Sequence, residues 1–273
     1  MRGMKKYARQ KIPFMKMHGL GNDFVVIDER EGPVGLTPET VLAMGDRNRG
    51  IGFDQLAVIT KREGSDGHLT FWNSDGSLSS TCGNATRCIA EFLMREKGET
   101  YVTVTTERGS HLVRDLGAIF TVNMGAPSLE WQDIPLARQM DTLHLPLPGE
   151  PTATGMGNPH CTFFVEDADA IDLATEGPRF EHDPLFPERT NVQFVSVIGE
   201  NHLRMRVWER GAGITLASGS SSCATAVAAK RRGLVDGEVT IEMDGGPIQI
   251  DWNEAGVWMT GPTAHTFDGV WYG

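Results

Sequence analysis

The chain of 273 residues repeats itself once, at a separation of about half its length. GNDFVVIDE at 21–29 returns as GNPHCTFFVED at 157–167, which sets Asn22 and Asn158 136 positions apart. LTFWNSDGS at 69–77 returns as MRVWERGAG at 205–213, so Trp72 matches Trp208 and Asn73 matches Glu209 at the same separation. TCGNATRCIAEFL at 81–93 returns as ASGSSSCATAVAA at 217–229, and Gly83 matches Gly219. LAVI at 56–59 resembles VSVI at 195–198, a separation of 139. Self-similarity at a fixed period marks a repeated structural unit. Four segments in one order define a duplicated domain, its two similar halves facing each other, and the length suits about two domains.

Each half reads as mixed α/β. FVVID, QLAVIT, HLTFWN and YVTVTTE are short β-rich runs bounded by Gly, Asp or Asn, the signature of strands. Thr37 followed by Pro38 opens a helix as N-cap and N1 proline. After CGN, the residues Ala85, Cys88, Ile89, Phe92 and Leu93 form one helical stripe. After SGS, CATAVAAKRR is equally helical, with basic residues at its end and Gly233 as a stop. Each half therefore carries strand, glycine turn and helix, and Cys82 and Ser218 occupy the equivalent turn. Glycine supplies 32 of the 273 residues, more than a usual ~7% share, which implies many tight turns or close backbone approaches to a ligand.

Charge and hydropathy remove several classes of partner. A formal net charge of −11 argues against nucleic acid and anionic membrane surfaces. No apolar run reaches the ~18 residues that span a bilayer. MRGMKKYARQK at the start holds five basic residues and no acidic one, but no apolar stretch follows, so it reads as a solvated extension rather than a secretory signal. The four cysteines, Cys82, Cys88, Cys161 and Cys223, include no CxxC pair, so neither a zinc ribbon nor a thioredoxin-like site is expected. They are expected to be free thiols in the cytoplasm. No P-loop and no GxGxxG after a strand occurs, and no metal, nucleotide or other cofactor is implied.

The two turns suggest a chemistry. A thiol just before a helix N-terminus meets the positive end of the dipole, which is expected to lower its pKa from ~8.5 toward neutrality. The same N–H groups can hold a carboxylate. An α-amino acid caught between two such helices would show both faces of its α-carbon to the two turns, an arrangement suited to racemisation without a cofactor. The plain alternative is that both glycines serve tight turns and Cys82 is a small buried hydrophobe.

MHGLGNDFVVID, NSDGSLSSTCGNATRC, GNPHCTFFV, NVQFV and WERGAGITLASGSSSCA, in this order and spacing, resemble the diaminopimelate epimerase family from about Phe14 to the C-terminus. The resemblance implies two pseudo-symmetric α/β halves with the active site in the cleft between them, and a homodimer. The expected halves are residues 1–128, with 264–273 returning to them, and 129–263. The implied activity is cofactor-independent conversion of LL-diaminopimelate to the meso form, in lysine and cell-wall synthesis, by proton transfer between two bases. Cys82 matches one of two catalytic cysteines. Asn22 and Gln55 match side chains near the reacting end, and Glu209 the acid that meets the substrate ammonium. Asn73, Asn158, Asn191 and Arg210 match the group that reads the distal centre. Gly83, Asn84, Gly219 and Ser220 match positions whose backbone N–H groups hold the reacting carboxylate. His160 matches a histidine beside the site and reads as a supporting residue rather than an acid or base. The residue types suit these roles, since arginine forks onto carboxylates and amides serve either polarity. Without the resemblance, Gln55 is also a sheet-face residue and Asn22 a turn former. Cys88, Cys161 and Cys223 read as core.

The chain departs from the family pattern at position 218, where serine stands in place of the second catalytic cysteine. A hydroxyl is a far weaker acid than a thiol, so the two-base reaction is expected to run poorly or not at all. Cys223 lies more than a helical turn away and cannot substitute. Three readings follow: a deliberate cysteine-to-serine change in a working epimerase, a relative with altered chemistry such as a cofactor-free dehydratase or another racemase, or a homologue that binds amino acids without catalysis or keeps only residual epimerase activity. The extra serines of SGSSSCA have no explanation at this level.

Overall fold

The computed structural model describes residues 11–79 and 81–273; most of the basic N-terminal extension lies outside them. The first half runs β1 (Lys11–Gly19), β2 (Asn22–Asp28), α1 (Pro38–Gly45), β3 (Gln55–Thr60), β4 (Gly67–Asn73), β5 (Leu78–Ser79), α2 (Gly83–Lys97), β6 (Tyr101–Thr106), β7 (Gly109–Asp115) and β8 (Phe120–Asn123). The second half repeats that order as β9 (Thr152–Gly155), β10 (Pro159–Phe164), α3 (Leu173–Glu181), β11 (Asn191–Gly199), β12 (His202–Glu209), β13 (Gly213–Ile214), α4 (Gly219–Arg231), β14 (Val239–Met243), β15 (Gly246–Asn253) and β16 (Gly256–Gly261). β17 (Ala264–Tyr272) closes the chain by pairing antiparallel with β1. The halves join where β8 and β16 pair antiparallel.

Strand register shows how closely the halves correspond. β2 runs parallel to β3 with Phe24 opposite Gln55, and β10 runs parallel to β11 with His160 opposite Asn191. On the next strands Leu56 faces Trp72, as Val192 faces Trp208, and Trp72 faces Leu78, as Trp208 faces Ile214. Each of these pairs is related by 136 positions. The similarity of LAVI to VSVI at a separation of 139 is therefore three residues out of register, because both are generic β-branched runs; the true counterpart of LAVI is VQFV at 192–195.

Local chemistry explains the helices. Thr37 Oγ1 accepts the Thr40 N–H at 3.3 Å and Pro38 opens α1. In α2 the expected stripe is the buried face: Ala85, Cys88, Ile89 and Leu93 are fully enclosed and Phe92 is partly so. Each full burial of a large apolar side chain contributes roughly 1.5–3 kcal/mol. Helix α4 is buried nearly all round by small residues, including Cys223, Ala224, Ala226, Ala228 and Ala229, which lets strands approach closely. One apolar core takes in both α2 and α4 and the strands around them, so the two helices sit at the centre of the molecule. Two satellite cores lie under α1 and α3.

Candidate active site

Cys82 and Ser218 are the N-caps of α2 and α4, both extended, at φ −150° and −136°. The first helical residue in each case is a glycine pressed on the same side chain. A Cβ at Gly83 would stand 2.5 Å from Met259 Cε, and one at Gly219 would stand 2.9 Å from Met259 Sδ. A side chain at either position would require Met259 to shift, so both helix N-termini pack against this one methionine of β16. Asn84 Oδ1 lies 3.6 Å from the same Gly219 position, so the two ends are neighbours. Both caps are shielded from solvent, with Cys82 8% and Ser218 3% exposed.

The two caps behave differently. Cys82 Sγ accepts the Ala85 N–H at 3.5 Å. Burial nevertheless pushes its thiol well above the ordinary range, and the negative charges of Glu209 and Asp54 add to the rise. The expectation of a thiol near neutrality is thus corrected: desolvation of a thiolate outweighs the single weak N–H bond and the helix dipole. The Ser218 hydroxyl accepts no backbone N–H of its own helix end. Its hydroxyl donates to Glu209 Oε2 at 2.8 Å and lies 2.9 Å from Ser221 Oγ. Thr215 Oγ1 donates to the other Glu209 oxygen at 2.6 Å. Burial raises the Glu209 carboxyl above the usual carboxylate range, against the two hydroxyl bonds that lower it.

The remaining predicted residues lie on both halves. Asn22 donates to Asp54 Oδ2 at 2.7 Å and accepts from Asn84 Nδ2 at 3.1 Å, beside Cys82. Gln55 donates to Asn73 Oδ1 at 3.2 Å across the β3–β4 pair. In the second half, Asn191 accepts the Arg210 N–H at 3.0 Å and donates to the Pro159 carbonyl, while the Arg210 guanidinium reaches the Glu188 carbonyl at 3.0 Å. His160 joins this side to Ser218. Its Nε2 is 2.8 Å from Asn158 Oδ1 and its Nδ1 is 3.0 Å from Gln193 Nε2, whose other bond goes to Ser221 Oγ at 3.0 Å. That pattern assigns a neutral ring with the proton on Nε2. Burial, helped by Arg210 and Arg108, pushes the His160 pKa down to about 3, so the ring supports its neighbours and carries no charge near neutrality. Gly83, Asn84, Gly219 and Ser220 form the first turns of the two helices, as their positions required.

Sequence reading missed Asp54, Thr215, Gln193, Ser221 and Met259. Ser221 had a signal in the unusual SGSSSCA run, and its role is now visible as the link between Ser218 and Gln193. Ser222 instead bonds the Ser218 carbonyl at 2.8 Å inside the helix. Cys88, Cys161 and Cys223 are fully buried as expected, and burial pushes Cys88 to about 11 and Cys223 to about 12. Among the described residues no group of three or more His, Cys, Asp or Glu side chains has a metal-binding arrangement.

The two pseudo-symmetric α/β halves have the two-lobed fold of the epimerase and racemase isomerases. The fold is shared with a PhzF-family phenazine biosynthesis protein of Bacillus anthracis (TM-score 0.68, 14% identity, 96% of this chain and 99% of the other). It is also shared with a hydroxyproline epimerase of Agrobacterium vitis (TM-score 0.66, 11% identity, 98% and 94%). The diaminopimelate epimerase family model matches residues 14–130 and 152–266. A diaminopimelate epimerase of Acidiphilium cryptum is 47% identical over 263 residues, covering 94% of this chain and 95% of its own. One of Gluconobacter oxydans is 49% identical over 262 residues, covering 95% and 98%. The chain belongs to the diaminopimelate epimerase family.

Proposed function

We propose that this protein inverts one α-carbon of LL-2,6-diaminopimelate to give the meso form, without a cofactor. The observation that carries this reading is the meeting of the Cys82 and Ser218 helix ends against Met259, with the Glu209 carboxylate bonded to one and charged toward the other. The reacting carboxylate is held by the N–H groups of Gly83, Asn84, Gly219 and Ser220, where two helix dipoles add. Glu209 takes the reacting ammonium, with Asn22 and Gln55 beside it. Asn84 Oδ1 is a buried acceptor with no partner among the described residues, and suits the same ammonium. Asn73, Asn158, Asn191 and Arg210 read the distal carboxylate and ammonium. Of the described residues, those from 11 to 128 with 264–273 form one lobe and 129–263 the other. The working enzyme is a cytoplasmic homodimer acting on a small molecule, with neither nucleic acid nor membrane as partner.

Cys82 serves one face of the α-carbon as thiol or thiolate, and Ser218 occupies the other face. Because a hydroxyl cannot supply an anion near pH 7, the chain turns over slowly, and restoring a thiol is expected to accelerate it by about 10²–10⁴-fold, the usual weight of one positioned acid or base. The test follows LL-diaminopimelate in deuterated water by proton NMR, for the chain and for Ser218→Cys. A Ser218→Cys protein that neither exchanges the α-proton nor forms meso product removes the substrate assignment, and a dehydratase or binding role then becomes the better reading.

A further inference from the structure

Serine is among the best helix N-caps, because its oxygen accepts a free N–H of the first turn. Ser218 sits at the N-cap of α4 and makes no such bond, whereas Cys82, a poor cap, does accept one from its own helix. The Ser218 hydroxyl is turned instead into a buried chain of polar groups. It contacts Glu209 Oε2 at 2.8 Å and Ser221 Oγ at 2.9 Å, and Ser221 is in turn held by Gln193 Nε2 at 3.0 Å. The other Glu209 oxygen is fixed by Thr215. A hydroxyl carries one proton and two acceptor sites, so an oxygen held between two partners is placed to give that proton to one group while taking a proton from another.

We propose, on the epimerase reading above, that Ser218 and Glu209 together form the second acid/base of this enzyme, the hydroxyl relaying a proton between the substrate α-carbon and the carboxylate. In one direction the α-C–H bond breaks and its proton goes to Ser218 Oγ, while the Ser218 Oγ–H bond breaks and that proton goes to the Glu209 carboxylate. The electron pair stays on the α-carbon and is protonated on the opposite face by the Cys82 thiol, which becomes a thiolate. One negative charge has moved from Glu209 to Cys82, and no alkoxide forms at any stage. The reverse direction begins with Cys82 thiolate and neutral Glu209. The resting protonation states agree with this order, since burial keeps Cys82 a thiol and makes Glu209 a stronger base than an exposed carboxylate. Ser221, itself in the first turn of α4, and Gln193 hold the hydroxyl on the path to Glu209 rather than on a backbone N–H of the helix. Ser221, one of the extra serines of this turn, is thereby explained as a support of the hydroxyl-based relay.

The experiment compares the chain with Ser218→Ala, Ser218→Cys, Glu209→Gln and the Ser218→Ala/Glu209→Gln double variant, using LL- and meso-diaminopimelate in deuterated water. The chain itself is expected to epimerise, more slowly than Ser218→Cys. Ser218→Ala should lose about 10²–10⁴-fold in kcat with little change in KM, as expected for removal of one positioned acid or base. One of the two isomers should still exchange its α-proton through Cys82 without being converted. Glu209→Gln alone should lower kcat and, through the ammonium, raise KM; in the Ser218→Ala background it should lower kcat no further, because two residues acting as one unit are not additive. A Ser218→Ala protein as fast as the parent overturns the relay, as does a parent that is inactive while Ser218→Cys works. A kcat loss at Glu209 that adds fully to that at Ser218 also overturns it. If Ser218→Cys fails on both isomers, the substrate reading itself falls and takes the relay with it.

Discussion

At the scale of single residues, the site is governed by desolvation more than by helix ends. His160 shows this in a form that stability measurements can test. Its pKa is about 3 in the folded protein, pushed down first by burial and then by Arg210 and Arg108, against about 6.5 when unfolded. Below pH ~6.5 the unfolded chain therefore binds a proton that the folded one refuses. The stabilisation is complete above that pH and is lost as pH falls from ~6.5 toward 3, with a slope of up to about 1.4 kcal/mol per pH unit. Urea unfolding between pH 7 and 4 should show this slope, and His160→Gln, which stays neutral, should flatten it. An unchanged slope in the variant would place the charged form of His160 inside the folded protein. The sequence marks this ring only as a supporting residue; its contacts Gln193 on β11 and Ser221 on α4, and the Arg210 charge, all lie far from it in sequence.

At the scale of elements, the first turns of α2 and α4 are held in place by one methionine of β16. Gly83→Ala would set a methyl 2.5 Å from Met259 Cε and 3.0 Å from Met124 Cε, inside a closed core. Overpacking of this kind costs about 1–3 kcal/mol. Met259→Ala alone should cost about 2–5 kcal/mol as a cavity. The double variant should be more stable than the sum of the two predicts, because the shortened Met259 leaves room for the methyl. Chemical denaturation of the four proteins measures that coupling; strict additivity would show that Met259 is not what Gly83 presses against. The glycines were legible as turn positions, since each follows a strand run and precedes a helical stripe. Their partner was not, because Met259 lies in the last sheet strand of the second half, 176 positions after Gly83.

At the scale of the whole molecule, the halves share an apolar core and are joined, among the described residues, by the pairing of β8 with β16. The capping side chains of both halves are almost fully enclosed. On the proposed function, LL-diaminopimelate should slow amide hydrogen exchange in the first turns of α2 and α4 together, as both sets of N–H groups take the same carboxylate. Mass spectrometry of peptides covering residues 83–88 and 219–224 reads this directly. Protection of one helix end without the other contradicts a carboxylate shared between them.

The sequence alone determined the duplication, the strands β2, β3, β4 and β6, the helices α1, α2 and α4, and the placement of Cys82 and Ser218 at equivalent helix starts. These are written in short-range patterns: alternation, helical stripes, capping residues and glycine turns. Tertiary structure decided the rest. It set the register of β3 against β11 at 136 positions, where generic β-branched runs had suggested 139. It raised the Cys82 thiol that local helix chemistry would lower, and it turned the Ser218 hydroxyl from its own helix toward Glu209. Desolvation and hydrogen-bond choice depend on which distant segments close over a residue, and no local pattern in the chain records that.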